Sequence, residues 1–305
     1  MTGYIAKRVL MAILSVFLVA TITFFLMFLV PGGPFLSEKA PSEATIKALE
    51  AKYGLDQPVI VQYKNYMLNL LRGDFGLSIK QRGRTVWQII TAGFPVSAKV
   101  GGLSIMIALL IGVPLGSVAA LKRGKWQDNV IIFLSSAGVA VPGFVVSTLL
   151  MYFLSVKIKL LPTFGLGSFS HYIMPCTALS LYPASYITRL MRSSMLDVIG
   201  QDYMITAKAK GLKQSAMLFK HALRNAVSPV ITYLGPLLAY TLTGSFVVEK
   251  IFSIPGLGKE FISSIINRDY TMIMGTTIFL AFLIVAMNAL VDIANKIVDP
   301  RIQLK

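Results

Sequence analysis

The residues best suited to chemistry in this sequence do not form a known nucleotide-binding pattern. A phosphate-binding loop needs Gly-x-x-x-x-Gly-Lys-Ser/Thr, because its backbone amides cradle phosphate and its hydroxyl holds magnesium. Lys125 and Lys259 each follow a glycine, but Trp126 and Glu260 stand where the motif needs a hydroxyl. We therefore expect no ATP binding through this motif, and no cofactor held by this chain.

Catalytic and metal-binding residue sets are also missing from the sequence. The two histidines, His171 and His221, lie far apart, and the single cysteine, Cys176, lies in an apolar run. Neither His-Glu-x-x-His nor Gly-x-Ser-x-Gly occurs. Asp292 is the only acid well inside an apolar run. The sequence thus predicts no catalytic residues, no metal site and no enzyme.

One polar stretch, residues 201–225 (QDYMITAKAKGLKQSAMLFKHALRN), concentrates positive charge between two apolar segments. Its helical spacing gives an apolar stripe and a neighbouring basic stripe, formed respectively by Leu212, Ala216, Phe219, Leu223 and by Lys213, Met217, Lys220, Arg224. Gly211 predicts a turn or a close backbone contact, because glycine costs a helix about 1 kcal/mol relative to alanine. From these residues alone, the stretch is equally suited to lie on anionic lipid or to dock on a protein partner.

The elements that position this stretch are membrane spans. The chain has 305 residues, of which 55% are hydrophobic and only 14% charged, and its mean hydropathy is +0.71. Apolar runs of about 20 residues recur, which is enough to cross a hydrocarbon core. The six predicted spans are Val9–Val30, Val96–Leu121, Asn129–Val156, Tyr172–Leu190, Val230–Val248 and Met272–Ile293. The fourth contains prolines and serines, so we expect it in the interior of the bundle.

Charge in the short loops predicts the orientation. Lysines and arginines crowd the loops that share a side with both termini and with residues 201–225, which places that side in the cytoplasm. The net charge of +16 is accordingly ascribed to topology and anionic lipid rather than to nucleic acid. The first apolar run is longer than a signal-peptide core and lacks a small-residue cleavage site after it, so we expect an uncleaved span.

Residues 32–95 form the long outer segment. Ser42 is a candidate N-cap of a helix ending near Gly54, and Pro58 is placed to start a second helix that stops at Gly73. This predicts an ordered external helical segment; helices lying on the membrane surface are the alternative.

The polar stretch also carries a family resemblance. DYMITAKAKGL followed by FKHALRNAVSPV resembles the cytoplasmic coupling loop of permeases of binding-protein-dependent ABC importers. The general motif is EAA, three residues, Gly, nine residues and I-x-L-P. Ala207, Gly211 and Leu223 fit this motif, whereas Ile205, Thr206, His221 and Arg224 depart from it. The peptide-permease version, (Y/F)-x-x-T-A-x-A-K-G-L then H-A-L-(R/K)-N-A, is matched at Tyr203, Thr206, Ala207, Ala209, Lys210, Gly211, Leu212 and residues 221–226.

Other stretches extend the resemblance from the outer segment to the last span. They are YGLDQPVIVQY, LLRGDFGLS, FPVSAKVG and TGSFVVEKIFSIPGLGKEF with NRDY. The chain is thus similar to OppB-type permease subunits of peptide ABC importers, the oligopeptide, dipeptide and nickel family.

This resemblance implies an all-α polytopic protein with six transmembrane helices and the type I ABC importer permease fold. The expected organisation is 1–31 as the cytoplasmic tip and first span, 32–95 as the extracytoplasmic segment, 96–295 as the permease core with a coupling loop at 191–228, and 296–305 as a cytoplasmic tail. Its implied place is the cytoplasmic (inner) membrane of a bacterium or archaeon.

The implied partners are a homologous second permease forming a heterodimer, two cytoplasmic ATPases that bind ATP and Mg, an extracytoplasmic peptide-binding protein, and membrane lipid. The residues implied to dock the ATPase are Tyr203, Thr206, Ala207, Lys210, Gly211, Leu212, Lys213, Ala216, Phe219, Lys220, His221 and Arg224.

The implied cargo is oligopeptides, with dipeptides, glutathione or nickel chelates as alternatives. A stand-alone secondary transporter is a weaker alternative, because the centres of the spans carry almost no ionisable residues for ion coupling. A carrier of varied peptides suits a pathway of small polar residues, for which the candidates are Ser180, Tyr182, Ser185, Thr241, Thr243 and Ser245. Each of these is equally suited to ordinary interhelical hydrogen bonding.

Two further patterns concern helix packing. Gly112 and Gly116 form a Gly-x-x-x-Gly pair, which predicts close approach of a neighbouring helix. The candidate kink positions are Pro114, Pro142, Pro183 and Pro236.

Overall fold

A computed structural model describes residues 2–29, 33–35, 42–211, 217–242 and 246–298. Apart from one isolated antiparallel bridge, Leu77 with Thr85, the regular structure in these ranges is helical. The helices are α1 (Thr2–Leu29), α2 (Glu43–Tyr53), α3 (Val59–Leu71), α4 (Val86–Leu121), α5 (Trp126–Ala140), α6 (Gly143–Leu150, continuing as a π-helix over Met151–Lys157), α7 (Ser170–Ile199), α8 (Asp202–Ala209), a π-helix over Met217–Ala222, α9 (Leu223–Ala226), α10 (Ser228–Leu242), α11 (Phe246–Ile251), α12 (Leu257–Asn267) and α13 (Tyr270–Val298).

The described helices confirm an all-α, polytopic architecture. Three of them are long and apolar enough to cross a membrane, at Arg8–Leu29, Val86–Leu121 and Tyr270–Leu290. A fourth candidate is the pair Trp126–Ala140 and Gly143–Lys157, which is bent by 99° at its break. Helix α7 has 30 residues, long enough to cross, but it is too polar to count by hydropathy. The total of six spans therefore stays a prediction.

The second and third predicted spans differ from the helices observed there. Helix α4 begins at Val86, well before the predicted start at Val96, because Thr85 and Gln88 cap its first turn. The predicted third span is not one straight helix, since it breaks at Val141 and Pro142. Pro142 is thus confirmed as a kink position.

The chain divides into two compact units, Met1–Val96 with Pro255–Val285 and Ser97–Ile254 with Ala286–Lys305. In the first unit the predicted outer helices are present. The Ser42 hydroxyl accepts the Thr45 N–H at 3.3 Å, and Gly54 ends α2 with φ 67°, in the left-handed region that favours glycine. Helix α3 starts directly after Pro58.

Helix α3 packs on α1 through aromatic rings in this first unit. Phe24 lies 5.3 Å from the Tyr63 ring and 6.2 Å from the Tyr66 ring, and Tyr63 shares a 2.8 Å hydrogen bond with the Thr21 hydroxyl. Burial raises the pKa of the Tyr66 phenol, so this ring remains neutral. Helix α3 is therefore held on α1 by these aromatic contacts and by the hydrogen bond to Thr21.

Asp269 holds the loop before α4 to the start of α13 in the same unit. The carboxylate is 2% exposed and accepts the backbone N–H groups of Ile79 at 3.1 Å and Met272 at 3.2 Å, together with the Ser78 hydroxyl. A buried carboxylate is stable only when its oxygens are satisfied in this way. The LLRGDFGLS and NRDY stretches of the sequence are thus joined by one side chain.

Helix α7 is the centre of the second unit. Its buried side chains include Met174, Ala184 and Ile187, which confirms the predicted interior position of the fourth apolar segment. A Cβ added at Gly112 would lie 2.9 Å from the Ala184 carbonyl oxygen, and one at Gly116 would lie 2.5 Å from that of Thr188. The Gly-x-x-x-Gly pair therefore lets α4 approach the backbone of α7, as predicted.

Candidate coupling segment and cavity

The described parts of the polar stretch are helical before and after a turn at Gly211. Helix α8 ends at Ala209, and Gly211 then adopts φ 74°, which confirms the turn predicted there. The helical path resumes in the π-helix Met217–Ala222 and in α9. We refer to residues 202–211 and 217–226 together as the coupling segment.

The inner face of the coupling segment is anchored on α7. Met204 is 3% exposed, and Ala222 and Ala226 are fully buried. These side chains share one apolar cluster with Met191 and Met195 of α7. The segment is therefore held on the C-terminal part of α7 by apolar burial.

The outer face of the segment is polar and exposed. Tyr203, Thr206, Lys210, Gly211 and Arg224 are all exposed. The Asn225 amide donates a 2.9 Å hydrogen bond to the Tyr203 hydroxyl, which ties the beginning of the segment to its end.

The remaining docking candidates are only partly visible. Leu212, Lys213 and Ala216 lie outside the described residues, and the backbone alone is described at Ala207, Phe219, Lys220 and His221. Leu223, from the predicted apolar stripe, packs against the cluster on α7. The docking assignment as a whole stays a prediction.

An ion pair between a buried aspartate and a half-buried arginine lies near the C-terminal end of α7. The Arg192 guanidinium donates from Nε to Asp128 Oδ1 at 2.6 Å and from its terminal nitrogen to Asp128 Oδ2 at 2.7 Å. Asp128 is 3% exposed and also accepts the Gly124 N–H at 2.9 Å. Two parallel bonds fix both the distance and the plane of the two groups. Sequence reasoning used these residues only for topology, because their separation of 64 positions gives no local signal.

A second buried carboxylate was also missed by sequence reasoning. Glu249 in α11 is 1% exposed and accepts the Ser97 hydroxyl at 2.7 Å. Its only sequence signal is an acid directly after two valines.

The second unit contains a cavity of about 670 Å³ at the break between α5 and α6. It is lined by residues 139–144 of that break and by side chains of α7, α10 and α11, namely Ala178, Leu179, Tyr182, Pro183, Tyr233, Pro236, Leu237, Thr241, Val247 and Val248. The volume lies in the range of small-molecule sites, about 300–1,000 Å³. The described lining carries no charge, and its side-chain hydroxyls come from Tyr182, Tyr233 and Thr241.

The cavity contains two of the six predicted pathway residues, Tyr182 and Thr241. Ser180 is buried and donates to the Thr177 carbonyl at 3.0 Å. Ser185 is buried against Gly138, where an added Cβ would collide with the serine hydroxyl. Thr243 and Ser245 lie outside the described residues. The pathway assignment also stays a prediction.

Comparison with known proteins assigns the chain to a family. Residues 112–304 match the family model "Binding-protein-dependent transport system inner membrane component", and residues 1–101 match the corresponding N-terminal model. The dipeptide transport system permease protein DppB of Bacillus subtilis (strain 168) is 46% identical over 304 residues, which are 100% of this chain and 99% of the relative. The oligopeptide transport system permease protein OppB of Haemophilus influenzae is 40% identical over 305 residues, covering 99% of this chain and 100% of the relative.

The fold has a solved counterpart. A chain of the MetNI methionine ABC transporter in an inward-facing conformation matches with a TM-score of 0.57 and 16% identity, over 69% of this chain and 96% of that chain. At that identity the likeness concerns the fold. The protein is therefore a multi-pass inner-membrane protein, and it belongs to the family of inner-membrane components of binding-protein-dependent transport systems.

Proposed function

We propose that this chain is a permease subunit of an ABC importer that takes up peptides. The observation that carries the proposal is similarity along the whole chain to permeases of dipeptide and oligopeptide systems. The coupling segment supports it, because apolar burial holds the segment on α7 while its exposed side chains remain accessible to a partner.

In this proposal ATP and Mg²⁺ are bound by two cytoplasmic ATPase subunits, and this chain binds neither. A homologous second permease completes the translocation path, and an extracytoplasmic binding protein delivers the peptide. Both termini and the coupling segment lie in the cytoplasm. The exposed Lys210 and Arg224 of the segment then give the docking face a positive charge that sets its register on the ATPase.

The cavity supports peptides as the cargo class. Its lining is apolar with a few hydroxyls, which can receive varied side chains while offering hydrogen bonds to a backbone. Both oligopeptides and dipeptides are compatible with it, and the 46% identity to a dipeptide permease favours testing dipeptides beside longer peptides.

The test is uptake in vesicles that contain the complete complex. We expect uptake of tetra-alanine or di-alanine to require the binding protein and ATP inside the vesicle, and to stop when the ATPase subunits are inactivated. Competition between the two peptides then gives the preferred length. Uptake driven by an ion gradient in vesicles with this chain alone would overturn the proposal and favour a secondary transporter.

A permease variant tests the cavity. Leu237→Trp adds a ring where Leu237 is 4% exposed, so we expect uptake to fall at least tenfold. Leu149→Trp is the control, since Leu149 is 49% exposed and lies outside the cavity lining. Equal uptake by the two variants would show that the peptide does not pass through the cavity.

A further inference from the structure

We propose that the Asp128–Arg192 pair is the joint that transmits movement of the coupling segment to the cavity. This inference rests on the proposed function, because the movement would come from a docked ATPase. It concerns two residues that neither a motif nor the family match singles out, and it assigns them a positioning role.

The first step is the connection between the coupling segment and α7. Met204, Ala222 and Ala226 of the segment share one buried cluster with Met191 and Met195 of α7. Arg192 follows Met191 directly in the chain. A displacement of the segment must therefore carry the end of α7 with it, or break a close-packed cluster.

The second step is the connection between α7 and α5. Near the C-terminal end of α7, Arg192 donates two hydrogen bonds of 2.6 and 2.7 Å to Asp128 in the first turn of α5. Further along, Gly138 of α5 lies directly against Ser185 of α7. The order of these contacts is reversed along the two helices, so α5 and α7 run antiparallel. Two attachments along one pair of helices constrain them to move together.

The third step is the far end of α5. The helix ends at Ala140, and the chain turns by 99° into α6. Residues 139–144, which form this turn, line the cavity. Whatever rotates α5 therefore moves one wall of the cavity.

The geometry of the pair explains why a charge pair is used there. A single hydrogen bond would let the helices slide, whereas a bidentate guanidinium–carboxylate pair fixes register and angle. Asp128 also accepts the Gly124 N–H, so the same carboxylate holds the α4–α5 loop. Removing Arg192 leaves the Asp128 carboxylate buried without its partner, while replacing arginine by lysine keeps the charge and loses the planar guanidinium.

The experiment uses the complete complex in vesicles with a cysteine reporter. Cys176 is the only cysteine of the chain, so Cys176→Ala with Val141→Cys places a single thiol in the cavity wall. Its rate of reaction with a membrane-impermeant maleimide is measured without nucleotide and with ATP plus vanadate. Each measurement is accompanied by the rate of ATP hydrolysis and by the amount of copurified ATPase.

We expect the reporter rate to change at least threefold with ATP plus vanadate in the parent, and to become independent of nucleotide in Asp128→Asn and Arg192→Lys. The ATPase should still copurify and hydrolyse ATP in both variants. Arg189→Gln is the matched control, because Arg189 is exposed on the same helix and forms no ion pair with a described residue. It should behave like the parent.

The outcomes separate this inference from the proposed function. A parent complex without ATPase would overturn the proposed function and the inference with it. A parent complex that takes up peptide with ATP but whose reporter rate does not respond to nucleotide would overturn the inference alone. A nucleotide effect that survives in Arg192→Lys and Asp128→Asn would overturn the inference alone. Loss of the copurified ATPase in both variants would assign the pair to assembly and also overturn it.

Discussion

Tyr203 and Asn225 are 22 positions apart in the chain, and a 2.9 Å hydrogen bond from the Asn225 amide to the Tyr203 hydroxyl closes the coupling segment into a loop. Both residues belong to the stretch that resembles the peptide-permease motif. The bond gives them a local physical role, which is to hold the two ends of the segment together so that its exposed face keeps one shape.

The first prediction concerns this bond. Tyr203→Phe removes the hydroxyl and keeps the ring. Loss of the hydrogen bond should destabilise the folded coupling segment by about 0.5–1.5 kcal/mol. We expect two- to tenfold weaker binding of the ATPase, measured by titrating ATPase onto permease in nanodiscs. Tyr152→Phe is the control, because the Tyr152 hydroxyl forms no hydrogen bond with a described residue. Equal binding by both variants would contradict the prediction.

The second prediction concerns the turn at Gly211. Its φ of 74° is unfavourable for residues with a Cβ, while no atom of the described residues lies within 4 Å of an added Cβ. The cost of Gly211→Ala is therefore conformational, about 1–2 kcal/mol, and Gly211→Asn should cost less. We expect peptide uptake per ATP hydrolysed to be highest with Gly211, lower in Gly211→Asn and lowest in Gly211→Ala. We expect Gly211→Asp to hydrolyse ATP without taking up peptide. Normal uptake by Gly211→Ala would show that the turn is not required for coupling.

The third prediction concerns the contact between α4 and α7. Gly116→Ala places a Cβ 2.5 Å from the Thr188 carbonyl oxygen and 2.7 Å from Met191 Cβ, so overpacking should cost about 1–3 kcal/mol. The midpoint of thermal unfolding in detergent should fall by several degrees. Gly102→Ala, on the same helix and with no atom of the described residues within 4 Å of the added Cβ, should leave the midpoint unchanged or raise it. A Gly116→Ala midpoint equal to that of Gly102→Ala would refute the close contact.

The fourth prediction concerns Asp269. Asp269→Asn replaces an acceptor of several hydrogen bonds by a group that is half donor, which should cost about 1–3 kcal/mol. The loop that contains the exposed Lys80 and Arg82 should then be cut faster by trypsin in detergent-purified protein. Asp74→Asn is the control, since the Asp74 carboxylate accepts only the Gly76 N–H, at 2.8 Å, among the described hydrogen bonds. Unchanged cleavage in Asp269→Asn would show that the carboxylate does not hold the loop.

Local signals in the sequence predicted local structure well. The Ser42 cap, the Gly54 end and the Gly211 turn each depend on a few neighbouring residues, and the structure has all three. The start of α4 could have been predicted from neighbouring residues in the same way. Thr85 and Gln88 form a reciprocal capping box, with bonds of 3.1 Å in both directions, and this signal lies before the start at Val96 that was predicted from the apolar run.

Contacts between distant residues could not be predicted from one sequence. In the sequence, Asp128 and Arg192 each resemble an ordinary charged residue next to a loop. Only the antiparallel packing of α5 on α7 brings them together. The bend at Pro142 was indicated as a kink, but its angle of 99° is set by what packs on either side. The cavity formed at that bend has no sequence signal of its own. Of the candidate pathway residues, residue type alone could not separate Tyr182 and Thr241, which reach the cavity, from Ser180 and Ser185, which do not.

The uncharged lining of the cavity has a consequence for water. A peptide in solution carries an ammonium at one end and a carboxylate at the other. The described lining offers a counter-charge to neither of them. Removing the hydration shell of an ionised group without a compensating partner costs several kcal/mol. For the proposed cargo, each terminus would therefore keep its shell while passing Tyr182 and Tyr233. The width needed is then that of a hydrated chain end, and the cavity would discriminate by hydrated size rather than by amino-acid sequence.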